Sequence, residues 1–171
     1  HLNSFIRHAD IVKMANITML SNLVGNSPDG DFKNALFHAF YLFSNNCHGT
    51  ALDVYTDCEK YSNAAFKDIP YLDVTAVMND STKMLVVNVI NRHEANAITA
   101  DIVLQSGNFA GSAIVNEVNG KIPAAGNQGN PFSQVDQEPV NTVTSNIKFK
   151  GNTIKYSFPA HSLTQLQIPL K

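Results

Sequence analysis

Between Phe5 and Val24 the chain carries neither Pro nor Gly, and apolar residues return at Phe5, Ala9, Val12, Ala15, Met19, Leu20, Leu23 and Val24, close to the 3.6-residue repeat of a helix. The pattern predicts a helix over 5–24 that stops at Gly25, with Pro28 beyond it. Ile6, Ile11, Met14 and Ile17 fall off the stripe, which leaves the polar side a narrow strip carrying Asn3, Arg7, Asp10 and Lys13. A helix apolar on most of its circumference calls for neighbours on most of its circumference. Lipid is not that neighbour: Arg7, His8, Asp10 and Lys13 interrupt the run, and a spanning helix needs about 18 or more apolar residues in succession.

Downstream the pattern changes. The turn formers of "GNSPDGD" predict a loop, and "FKNALFHAFYLFSNN" places Leu36, Phe37, Phe40, Tyr41 and Phe43 at helical spacing before two Asn residues, which predicts a short second helix. Beyond it the period drops to two. "TALDVYTDC", "YLDVTAVMN", "MLVVNVINR", "ITADIVLQS", "AIVNEVNGK", "SNIKFKGNTIKYSFP" and "SLTQLQIPL" are rich in Val, Ile, Leu, Thr and Tyr and are separated by Asn, Asp, Gly or Pro, the signature of successive strands. Gly151-Asn152 between two alternating runs predicts a hairpin. The stretch from Ile122 to Asn146, with Pro123, Pro131 and Pro139, predicts a long polar loop. The fold class that follows is mainly β: an antiparallel, jelly-roll-like β-sandwich preceded by one long and one short α-helix.

Composition narrows the function classes. A length of 171 residues allows one domain with at most a small appendage. A net charge of -2, with 44% hydrophobic and 15% charged residues, gives no electrostatic case for nucleic acid or an anionic membrane. Cys47 and Cys58 flank a segment expected to be extended and are read as free thiols, which leaves the compartment undecided. The chain begins at His1 with no charged-then-apolar leader, as expected where a targeting signal has been removed or was never attached. Two N-x-S/T matches, at Asn16 and Asn79, are too common a pattern to count, and the first falls in the predicted helix, where a glycan would not fit.

A search for chemistry finds candidates and a plain alternative for each. Asp53 and Asp57 alternate along a predicted strand with Glu59 following; two carboxylates can share general acid and base work, but a solvated strand face explains them as well. His93 beside Glu94 reads as a turn, since neighbours on a strand point to opposite faces. His8 and Asp10 are two apart, the wrong spacing for one helix face, so His8 is expected buried and hydrogen-bonded. His38, His48 and His161 stand isolated, Cys47 next to His48 has no second Cys at ligand spacing, and Ser4, Ser44 and Ser162 lack a G-x-S-x-G setting. From the residues alone there is no metal site, no cofactor site and no catalytic group.

"FIRHADIVKMANITMLSN", "ALDVY", "DIPYLDVTAV", "VVNVINRHEANAI" and "FPAHSLTQLQI" together resemble, in order and spacing, the carboxyl-terminal part of the α-L-arabinofuranosidases of glycoside hydrolase family 51. The likeness runs from about Phe5 to about Ile168. It implies a parent enzyme with a (β/α)8 barrel followed by a β-sandwich, so that residues 1–46 are the helical remnant of the barrel and its connection, and residues 47–171 the sandwich. It also implies that the two catalytic glutamates of a retaining mechanism lie on barrel strands upstream, leaving none here. Many family members carry, inside the first helix, a Gln that approaches the sugar pocket; this sequence has Met19 there. Met cannot donate an amide hydrogen bond, so Met19 is expected either to line the pocket differently or to sit in the core.

Three functions are compatible with these residues. The first is the non-catalytic, bracing part of an enzyme that removes terminal arabinofuranosyl units from arabinan- or arabinoxylan-type substrates, its partner being the barrel of the same polypeptide. The second is a free-standing carbohydrate-binding module, which would stack sugars on exposed aromatic rings. The third is an independent hydrolase built on Asp53, Asp57 or Glu59. Without its barrel the helix over 5–24 would expose an apolar patch, so that the chain is expected to self-associate through it, to hold it against the sandwich in a different way, or to leave it mobile.

Overall fold

The computed structural model describes residues 1–18, 23–27, 30–123 and 139–171. Along them run α1 (Leu2–Arg7), β1 (Val24–Ser27), β2 (Gly30–Lys33), α2 (Ala35–Asn46), β3 (Thr50–Leu52), β4 (Lys60–Tyr61), β5 (Ile69–Pro70), β6 (Leu72–Asn79), β7 (Met84–Asn91), β8 (Ile98–Val103), β9 (Ser112–Asn119), β10 (Asn141–Lys148), β11 (Thr153–Phe158) and β12 (Ser162–Pro169). The chain is mainly β and antiparallel, as its period-two runs require.

Six strands form the main sheet in the order β10-β9-β12-β7-β6-β3. One face is apolar: Leu72 and Ala76 of β6, Leu85, Val87 and Val89 of β7, Ala113 and Val115 of β9, and Leu166 and Ile168 of β12. Across from them lies the pair β8–β11, whose Ile154 and Phe158 are almost wholly enclosed and whose Ile98, Ala100 and Ile102 pack on the same cluster. Val54 and Cys58, from the segment after β3, complete that layer. Two layers over one apolar interior make the expected sandwich. The second face of the six-stranded sheet carries the helices, with Leu42 of α2 against Val118, Val140 and Leu163.

The leading helix departs from expectation. It spans six residues, Leu2–Arg7, not 5–24; a turn through Ile11 follows, and residues 12–18 have no regular secondary structure. Val24–Ser27 is a strand paired with Gly30–Lys33, so Gly25 lies inside a small hairpin, with the ring of Phe32 across the space its Cβ would fill. Most helical stability in proteins comes from tertiary packing, and here Ile11 is 73% and Met14 77% exposed. Ile11, Val12, Asn16, Ile17 and Thr18 are also weak helix formers. Of the two helices it is the second, Ala35–Asn46, that is long.

Two strand expectations are corrected as well. Gly151, at φ +78°, does supply a turn, but no hairpin: β10 pairs with β9, and β11 with β8, so residues 149–152 carry the chain from one layer to the other. Ile147 and Phe149 before the turn and Ile154 and Phe158 after it all face the interior, which facing layers satisfy. Asn152 anchors the crossing, donating to Gly107 O at 2.8 Å and accepting from Phe109 N at 3.1 Å. The long polar loop ends early, because Asn141–Lys148 is strand; residues 124–138 lie outside the described ones. In "TALDVYTDC" three residues, Thr50–Leu52, pair with β6. Gly49, at φ +133°, passes so close to Met78 O that no side chain would fit.

Truncating Phe158 to Ala should cost about 3–5 kcal/mol in urea denaturation, the range for emptying a large core site. Val103→Ala, at a site 62% exposed on the paired strand, should stay within about 0.5 kcal/mol.

Candidate interface site

The helix-bearing face of the main sheet is polar at its centre. Thr75 of β6 pairs in register with Asn88 of β7, Asn88 with Gln165 of β12, Gln165 with Asn116 of β9, and Asn116 with Thr144 of β10. Because side chains alternate along each strand, these five fall on one face as a single row. Thr75, Asn88, Gln165 and Asn116 are buried, and a buried polar group needs partners. Gln165 Nε2 donates to Asn88 Oδ1 at 2.8 Å and Asn88 Nδ2 reaches Thr75 Oγ1 at 3.4 Å. Thr75 Oγ1 donates to Asn3 Oδ1 at 2.8 Å, and Asn46 Nδ2 donates to Gln165 Oε1 at 2.6 Å. The row thus begins on α1 and ends on α2.

Asp73, two residues before Thr75 and on the same face, fixes α1. Its carboxylate, 8% exposed, receives Arg7 Nη1 on Oδ1 and Arg92 Nη2 on Oδ2, each at 2.6 Å. Asn3 Nδ2 donates to Asp73 O at 2.9 Å, and Arg92 Nη1 to Pro70 O at 3.0 Å. Asn3 and Arg7 are four apart, hence on one helix face. The helix is therefore tied to the sheet by polar contacts from Asn3 and Arg7, with Leu2 and Ile6 half-buried beside them. Phe5, on another face, is 37% exposed. Ile11 and Met14, after the helix, are exposed as well.

Cys47, just past α2, borders the row. Asn88 Nδ2 approaches its Sγ at 3.3 Å, and burial pushes its thiol up from the ordinary value, against the lowering effect of the Asn88 contact. Cys47 and Cys58 are both free thiols, as expected.

The other candidates scatter. Asp53, Asp57 and Glu59 are exposed, on a segment that is not a strand. Neither of the two cavities described below has a carboxylate in its wall. His93 does lie in a turn: its Nδ1 accepts from Ala95 N and Asn96 N at 3.1 and 3.0 Å. Glu94 O contacts His161 Nδ1 at 2.9 Å, so His161 belongs to the same corner. His8, expected to be buried, is exposed at the end of α1, since the helix that was to enclose it ends there. His38 is buried, its Nδ1 3.0 Å from Thr142 Oγ1. His48 is exposed. Ser44 and Ser162 bond to the carbonyls of Tyr41 and Pro159. Asn16 is exposed and outside any helix, so helix packing does not exclude a glycan there. Asn79 Oδ1 accepts from Ser81 N and Thr82 N in the β6–β7 turn. Met19 lies outside the described residues. Glu117 accepts from Tyr156 Oη at 2.7 Å, and burial first, then that carboxylate, push the phenol well above its ordinary value.

The row and the Asp73 pair were missed in the sequence. Asn3 and Arg7 were assigned to a solvent strip, and Asp73, Asn88, Asn116 and Gln165 to ordinary strand positions. The signal was there: each interrupts a run of apolar residues in "YLDVTAV", "VVNVI", "IVNEV" and "LTQLQI".

A family model described as the α-L-arabinofuranosidase C-terminal domain matches residues 1–162. A protein named "probable alpha-L-arabinofuranosidase C" from Aspergillus clavatus is 30% identical over 97% of this chain and 32% of its own length. Its namesake from Aspergillus niger is 28% identical over the same shares. The chain thus spans about a third of the length of the curated relatives it matches. Among solved structures, the GH51 α-L-arabinofuranosidase of Thermotoga petrophila superposes with a TM-score of 0.83 at 19% identity, over 97% of this chain and 36% of the other. The GH51 arabinofuranosidase of Xanthomonas axonopodis pv. citri gives 0.81 at 19%, over 97% and 33%. At that identity the likeness establishes the fold.

Asp73→Asn, which keeps the shape and removes the charge between two guanidinium groups, should destabilise the chain by about 1–3 kcal/mol in urea denaturation. In thiol labelling, the reaction of Cys47 should rise at higher pH than that of a small-molecule thiol, because burial disfavours its thiolate.

Proposed function

Because the chain belongs to the α-L-arabinofuranosidase C-terminal domain family, we propose that it is the non-catalytic carboxyl-terminal part of a retaining glycoside hydrolase that releases terminal arabinofuranosyl residues from arabinan- or arabinoxylan-type substrates. Its role is to brace a (β/α)8 barrel that precedes it in the same polypeptide and carries both catalytic glutamates. Residues 1–46 belong to the barrel side of the junction and residues 47–171 to the sandwich.

The observation that carries this reading is the seating of α1. Its Asn3 and Arg7 are committed to the sheet. Phe5 of the helix and Ile11 and Met14 after it are exposed, as they would be if a second apolar body covered them. The share of the relatives' length that this chain spans, about a third, leaves ample sequence for such a body. Chemistry supports the division of labour: retaining hydrolysis needs two carboxyl groups about 5–5.5 Å apart across a sugar, and Asp53, Asp57 and Glu59 face solvent. A barrel, by contrast, gathers its catalytic groups at the carboxyl ends of its strands.

With an aryl α-L-arabinofuranoside as substrate, the isolated chain should give no turnover. Turnover abolished by Asp57→Ala would overturn the assignment. Size-exclusion chromatography gives a second check, because the uncovered surface should draw copies together: the wild-type chain is expected to elute as a larger species than a Phe5→Asp, Met14→Asp variant, and identical monomeric elution of both would contradict an adhesive surface there.

A further inference from the structure

A groove of about 560 Å3 runs between α2 and the start of β10, lined by Lys33, Phe37, His38, Tyr41, Asn141 and Thr142. Its volume lies within the range of about 300–1,000 Å3 usual for small-ligand sites. One wall is aromatic. Phe37 and Tyr41, four apart on α2, stack with ring centroids 5.8 Å apart and planes at 19°; His38 meets Phe37 edge-on at 5.7 Å and 86°. Polar residues complete the lining: Asn141 and Thr142 of β10, the Thr142 hydroxyl 3.0 Å from His38 Nδ1, and Lys33, whose ammonium stands 5.6 Å from the Phe37 centroid.

We infer that this groove is a binding site for a neutral saccharide chain, with Tyr41 as its platform. A sugar ring pairs an apolar C–H face with a rim of hydroxyls, and it needs an exposed aromatic face beside amide and hydroxyl partners. Tyr41 is 54% exposed and already held by Phe37, so little order has to be imposed on binding. A nucleotide or phosphate ligand fits less well, since Lys33 is the one cation in the wall. Two other features serve worse. In the stack Tyr61–Tyr71–His93 successive rings lie 4.8 Å apart, and all three are half-buried where Tyr41 is exposed. The second cavity, about 490 Å3, is lined by Asn108, Gly111, Gly151 and Asn152, and its rings, Phe109 and Phe149, belong to the core.

The inference does not depend on a catalytic barrel, and the loss of either reading leaves the other standing. Linear arabinopentaose and xylopentaose would be titrated into 15N-labelled chain and followed by two-dimensional NMR. Expected are saturable shifts at the amides of Phe37, Tyr41, Asn141 and Thr142 with at least one of the two sugars. Tyr41→Ala, checked for an otherwise unchanged spectrum, should weaken binding by about tenfold, the effect of about 1.4 kcal/mol. Lys33→Ala, at an exposed position beside Phe37, should weaken it too and serves should Tyr41→Ala fail to fold. The site is overturned by shifts centred on Tyr61, Tyr71 and His93, by variants that bind as the wild type does, or by no saturable shift at about 10 mM of either sugar, well above a Kd of about 1 mM.

Discussion

The buried polar row across the main sheet decides how everything on that face is arranged. Once Thr75, Asn88 and Gln165 are placed side by side in register, an apolar helix cannot cover them, because leaving such groups without partners costs about 1–3 kcal/mol each. The elements that cover them must bring amides, and they do: Asn3 from α1 and Asn46 from the end of α2. Asp73 then orients α1 by drawing in Arg7, with Arg92, just past the end of β7, balancing it.

The sheet is accordingly two-faced in an uncommon sense. Its inner face is a continuous apolar cluster with Phe158, Ile154 and Leu166 at the centre, and that face holds the sandwich together. Its outer face contributes less to net stability than apolar residues in the same places would, since buried hydrogen-bonded groups gain little over their bonds to water. What it contributes is a defined seat for two helices, because a network whose members each depend on the next has one satisfied arrangement. Phe5, Ile11 and Met14 are left exposed, and on them rests the proposed bracing role.

How far the sequence showed this depends on which layer is asked. The sandwich strands follow from short Val-, Ile-, Leu- and Thr-rich runs such as "MLVVNVIN" and "SLTQLQIP", which are strands buried on both faces. The Gly151 turn is legible as a turn but not as a crossing between layers, because pairing partners are set by tertiary contacts far along the chain. The long helix over 5–24 failed for a related reason: periodicity reports which residues want a common apolar neighbour, not whether the chain contains that neighbour. Ile11 and Met14, which lie off the stripe and widen the predicted apolar face, stand in solvent. The docking residues were obscured by their types, since Asn3 and Arg7 are what an exposed strip would also contain. Family resemblance supplied the parent architecture, while the seating of α1 needed coordinates.

The central claim is that the apolar start of this chain is covered by a preceding barrel in the longer enzyme. Hydrogen–deuterium exchange measured on the isolated chain and on an enzyme containing it upstream-extended through the barrel addresses it directly. Amides of Ile11 to Thr18 should exchange fast in the isolated chain and be protected in the longer one, while those of β7 and β12 stay equally slow in both. Equal, rapid exchange of Ile11 to Thr18 in both proteins would contradict it.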